Sequence, residues 1–163
     1  MGFTDSVRTE AGAVLRAAWP WGVLIAGELF IRLLFDIFAP PAPNGYRPRS
    51  TLTTYAAVGT FVLIGAVAAH RARRVWNGPA VAVVAGLVGH ILGIALTALL
   101  YFTVIKKDAT MLTTFDMTGG WDETLGFSVV APIVGALLAL VGALLSRGLS
   151  RAWPRGLRAS PNH

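Results

Sequence analysis

Glu28, Arg32 and Asp36 stand four residues apart in GELFIRLLFDIF, residues 27 to 38, a run that is otherwise apolar. At i, i+4 and i+8 of a helix they share one face. Arg32 can pair with either carboxylate, which leaves one negative charge or one shared proton. A charged side chain at the centre of a bilayer costs about 2.5–3.5 kcal/mol on insertion scales. Three of them facing lipid separately would nearly cancel the insertion energy of a span. The triad is therefore expected to face protein or an aqueous cavity.

Depth adds a fourth group. Counting about 1.5 Å per residue from Trp21, Glu28 lies ~10 Å into a span and Arg32 near its middle. His90 lies ~15 Å along the third apolar segment, between the levels of Glu28 and Arg32. A mid-membrane histidine near a carboxylate suits a binding site or proton relay. Thr97, Tyr101 and Ser128 are candidate hydroxyls on the outer half. The alternative is a self-neutralised ladder that fixes the first helix in a bundle, with His90 satisfied by a carbonyl. A third reading makes Glu28 or Asp36 an acid and His90 a base acting on a lipid. No nucleophile, phosphate loop or metalloprotease helix accompanies them, so enzymatic catalysis ranks last.

Other polar groups say less. His70 lies beside RARR at a different depth from His90, so the two do not form a bis-histidine haem site, and no cofactor or metal is expected. KKDATMLTTFDMTGGWDE carries four acids without the spacing of a calcium loop. It reads as a solvated connection, or as a lid on the outer surface.

The elements that must position these groups follow from composition. Of 163 residues, 55% are hydrophobic and 13% charged, with mean hydropathy +0.63. Soluble domains carry about 25% charged residues. Too little polar surface remains to cover a water-facing globule, so the bilayer is the expected solvent. Apolar segments at about 19–39, 54–70, 79–105 and 125–146 approach the ~20 residues that cross a hydrocarbon core. Backbone groups in lipid must pair within their own segment, and runs such as VAVVAGLVG do not alternate as barrel strands do. The expected fold is an all-α integral membrane bundle of four transmembrane helices in a single domain.

Residues 4–17 place Val7, Val14, Leu15 and Ala18 opposite Arg8 and Glu10, as in a short amphipathic surface helix ending at WPW. Glu28, Arg32 and Asp36 argue against a cleaved signal segment. Nine arginines fall at the N-terminus, at 71–74 and in the tail 147–163, against four Lys and Arg on the other side. The positive-inside rule puts both termini in the cytoplasm of a multi-pass inner-membrane protein. The basic tail, with Trp153, is expected on anionic lipid headgroups. The net charge of +6 lies at segment ends, so lipid rather than nucleic acid is the expected partner. No cysteine is present, which removes disulfides and thiol chemistry.

Small residues recur every fourth position at Ala85, Gly89 and Gly93, and again at Gly135, Ala139 and Ala143. Such stripes let helix backbones approach in lipid. They form either a mutual seam between the third and fourth spans or a face for a homo-oligomer or larger membrane partner. The layout of four spans with an acid in the first resembles small multidrug transporters. The chain departs from them in length, in Arg32 and in its long outer connection, and no residue role is carried over. The leading functional expectation is proton-coupled transport or sensing of a small solute, with a non-catalytic membrane subunit as the alternative.

Overall fold

The computed structural model describes residues 3–40 and 46–152. Five α-helices and one 3₁₀ turn make up the described chain, and no strand occurs among the described residues. They are α1 (Phe3–Phe38), α2 (Tyr46–Ala72), α3 (Asn77–Thr103), the 3₁₀ turn Ile105–Lys107, α4 (Ala109–Met117) and α5 (Gly120–Ala152). The long helices run alternately up and down, and α4 connects α3 to α5 and touches α1.

Arg49–Ala72, Asn77–Lys107 and Gly120–Ser150 are long and apolar enough to cross a membrane. Helix α1 is not among these three. It has the length, at 36 residues, but the charged triad breaks its apolar run. The expected surface helix over 4–17 is not a separate element, because α1 continues through Pro20 without a break. Proline leaves the Arg16 carbonyl without its usual i+4 amide donor. Just beyond this point α1 packs closely on α3. A Cβ added at Gly22 would come within 2.6 Å of Val88, and one at Gly89 within 2.7 Å of Ile25.

The centre of the bundle is α3, whose buried face is mostly glycine and alanine. It carries α1 on one side and α5 on another. Ala85, Gly89 and Gly93 receive Gly22, Ile25 and Leu29 of α1, not the small residues of α5. On α5, Gly135 faces Phe61 and Ala139 faces Gly65, both on α2, while Ala143 reaches Gly78 at the start of α3. The two stripes thus serve different neighbours. The tightest approach joins α2 to α5, where a Cβ at Gly65 would collide with the Ala139 backbone and one at Gly142 with the Val62 carbonyl.

Two apolar clusters fill the interior. One, near the middle, joins Ala18 and Ile25 to Phe61, Ile64, Val81, Ala85 and Ala139. The other, at the α4 end, joins Ile37, Ile105 and Phe115. Large apolar side chains cover the outside, among them Ile91, Leu99, Val129, Ile133 and Leu137, each more than 60% exposed. Monomeric soluble proteins rarely show so continuous an apolar surface. Such a surface is compatible with burial in a bilayer.

Helix α2 begins at Tyr46, earlier than the apolar run of residues 54–70. The hydroxyls of Thr53 and Thr54 fold back onto the Arg49 and Ser50 carbonyls at 2.8–3.2 Å, and RPRSTLTTY belongs to the helix. The basic segment 153–163 lies outside the described residues.

Candidate functional site

Glu28, Arg32 and Asp36 all lie on α1, but they do not act together. Each step of four residues turns about 40° beyond a full helical turn. Over two steps the face rotates by about 80°, and Glu28 points elsewhere. Its carboxylate accepts a 2.7 Å hydrogen bond from the Thr60 hydroxyl on α2. Thr60 is itself buried.

Arg32 and Asp36 join a different network. The Arg32 guanidinium donates to Glu123 on α5 at 2.5 Å, and its Nε lies 3.7 Å from Asp36. Asp36 also faces Arg49 of α2 at 3.6 Å. Arg49 donates to the Phe35 carbonyl at 3.0 Å and lies over the Phe35 ring. There it meets the carbonyl-rich end of α1, where a cation is favoured. The result is an alternating chain, Glu123–Arg32–Asp36–Arg49, that ties three helices together and is neutral as a whole.

Helix α4 and the turn after it set the position of Glu123. Asp108 caps α4 by accepting from the Thr110 and Met111 amides at 2.8 and 3.0 Å. Phe115 anchors α4 in a cluster with Tyr101 and Trp121, with ring centroids 5.5–5.9 Å apart. The chain then reverses through Gly119 and Gly120, at φ 98° and 51°. Glycine suits both conformations, and at Gly119 a Cβ would sit 2.8 Å from the Glu123 side chain.

These elements line a partly open cavity of about 70 Å³. Arg32, Asp36, His90, Thr97 and Glu123 line it, with Thr118 and Thr124 beside them. A water needs about 10–15 Å³ of such space, so several fit. Sites for drug-sized ligands run to about 300–1,000 Å³, and this one is far smaller. His90 is buried, and its Nδ1 donates to the Gly86 carbonyl at 2.8 Å. The carbonyl can only accept, so Nδ1 carries a proton. Nε2 makes no protein hydrogen bond among the described residues, while no buried side-chain nitrogen or oxygen there lacks a partner. Nε2 is thus accessible, on a residue that lines the cavity.

Arg32, Asp36, His90 and Thr97 meet at this cavity, whereas Glu28, Tyr101 and Ser128 do not line it. Tyr101 holds α4 through its ring, and Ser128 donates to the Thr124 carbonyl at 2.9 Å. Glu123 is the site residue that sequence reasoning missed, having been assigned to a wet connection. Its signal was present in TGGWDE, where a glycine pair precedes two acids in the first turn of a helix. His70 is exposed at the opposite end. Among the described residues no group of three or more His, Asp or Glu could hold a metal ion.

No protein-family model, curated protein or solved structure matches this chain. The fold itself defines a helical protein with three helices able to span a membrane.

Proposed function

We propose that the chain is a four-span protein of the cell membrane, with both termini in the cytoplasm, and that the Arg32–Asp36–Glu123–His90 cavity binds protons or a small ion in transport or sensing. The observation that carries this reading is buried His90, its Nδ1 held by the Gly86 carbonyl, lining the same small cavity as two carboxylates and an arginine. Charged groups within membrane spans are costly and mark functional sites by default. With α1 as the first span, its charges face protein and lipid meets its apolar sides. The arginine bias sets the orientation.

The cavity lies at the α4 end, and the apolar cluster around Ile25, Phe61 and Ala85 separates it from the other end. A site open to one side fits a sensor, or one state of an alternating transporter. A second reading is a membrane subunit that uses the charges for assembly. It is favoured by the pairing itself, since Glu28, Arg32, Asp36 and Arg49 all have partners.

The test uses purified protein in liposomes that contain a pH-sensitive dye. Proton entry down a pH gradient, alone and with small solutes, is compared for wild type, His90→Ala and Asp36→Asn. The proposal expects a wild-type flux, or a proton-dependent spectral change, that both variants reduce at least tenfold. Folded variants that match wild type in both readouts sink it and leave the assembly reading.

A further inference from the structure

A second cleft lies at the opposite end of the bundle, where α1 and α2 touch only lightly and both lean on α3. Its volume is about 340 Å³, within the range of small-molecule sites. Its lining changes character along its length. Glu10 on α1, Arg71 on α2, and Arg74 and Asn77 at the turn into α3 form one end. Val14, Ala17 and Trp21 of α1, with Val67 and Ala68 of α2, form the other. From Glu10 to Trp21 the cleft follows α1 for about 16 Å at 1.5 Å per residue.

The charges at the polar end are not spent on one another. Among the described residues, neither Glu10, Arg71 nor Arg74 makes an ion pair or a side-chain hydrogen bond, and all three are exposed. Two cations and one anion thus surround the mouth of an apolar slot. This combination suits an amphiphile whose head carries both signs.

We infer that this cleft holds a glycerophospholipid with an amine-bearing headgroup, phosphatidylethanolamine in type. The phosphate lies between Arg71 and Arg74, the ammonium on Glu10, and one acyl chain between Val14, Ala17 and Ala68. Arginine presents planar paired donors that match phosphate oxygens. Trp21 sets the apolar end of the slot, and exposed Trp76 beside Arg74 marks the headgroup level, where tryptophan accumulates. The inference rests on the membrane reading above, but not on the role of the His90 cavity.

The experiment is native mass spectrometry of the full chain, purified in mild detergent and incubated with defined phospholipids. Phosphatidylethanolamine, phosphatidylglycerol and phosphatidylcholine of the same acyl chains are compared. Wild type is expected to retain phosphatidylethanolamine at least about fivefold above the other two. The double variant Arg71→Gln and Arg74→Gln lowers retention of every phospholipid about tenfold. Glu10→Gln removes the preference for the amine head and leaves phosphate-dependent retention in place. Equal retention by wild type and the arginine variant overturns the site. Phosphatidylglycerol held as well as phosphatidylethanolamine overturns the headgroup assignment. Alkaline carbonate extraction of the membrane-expressed chain separates the two levels of the argument. A chain that washes out overturns the membrane reading and this inference together, whereas an integral chain without lipid preference overturns this inference alone.

Discussion

Replacing Glu123 by glutamine isolates the link between α5 and α1. The substitution preserves shape and one acceptor oxygen, but removes the charge facing Arg32. At about 4 Å between charge centres and an effective dielectric of 20, the lost attraction is about 4 kcal/mol gross. Most of it is offset. Glutamine no longer bears the desolvation of a carboxylate, and it still accepts a hydrogen bond from the guanidinium. The side chains are also 20% and 28% exposed, which screens the pair. A net loss of about 1–2 kcal/mol follows, in line with hydrogen bonds to charged groups.

The neighbouring acid calibrates the measurement. Asp122 sits in the same first turn of α5 and is exposed, so it senses the same helix dipole without the Arg32 contact. Asp122→Asn should cost about 0.3–1 kcal/mol, the range of that dipole effect. Reversible unfolding in mixed micelles, followed by tryptophan fluorescence, measures both variants. A double-mutant cycle with Arg32→Gln should return a coupling of about 1 kcal/mol or more. If Glu123→Gln costs no more than Asp122→Asn and the cycle shows no coupling, the ion-pair chain does not hold α5 to α1.

Three further outcomes are expected from the same assay. Gly142→Val drives a side chain into the Val62 carbonyl and should cost about 3 kcal/mol or prevent folding, whereas Gly148→Ala, which meets nothing within 4 Å, should stay within about 0.5 kcal/mol. Thr60→Val takes the donor from the Glu28 carboxylate and should cost about 1–3 kcal/mol, partly restored by adding Glu28→Gln. Gly119→Ala forces a Cβ into positive φ and against Glu123, so it should cost about 1–2 kcal/mol from the backbone alone. In that background Glu123→Gln should cost less than in wild type, because the clasp is already loosened.

The helices were legible because lipid-length apolar runs and period-3.6 patterns are strong signals. Their ends were less so. The threonines of α2 look like turn residues, yet they satisfy themselves on the helix backbone. Helix α4 was readable in principle, from Asp108 as a cap and from the spacing of Met111, Leu112 and Phe115. The four acids around them suggested a solvated connection instead. At the site, sequence spacing grouped Glu28 with Arg32 and Asp36, whereas Glu28 pairs with Thr60 of α2. The other two join the chain that runs from Glu123 of α5 to Arg49 of α2. The partners of the triad could not be read, because nothing in a charge four residues from another says which helix brings the countercharge. The small-residue stripes show the same limit. Ala85, Gly89 and Gly93 mark a face that accepts a close neighbour, but only packing of the whole bundle selects α1 over α5.

The ties from α1 to α2 bear on how such a chain would be assembled. In a four-span arrangement, α1 emerges from the ribosome before α2 and carries Glu28, Arg32 and Asp36. Alone in lipid, those three charges oppose partition by about 2.5–3.5 kcal/mol each near the centre. Thr60 and Arg49, which meet Glu28 and Asp36, arrive only with α2. Glu123, which meets Arg32, arrives later still, with α5. The first helix therefore has reason to linger at the insertion machinery until its hairpin partner is complete. Its release would be timed by a downstream segment rather than by its own hydrophobicity.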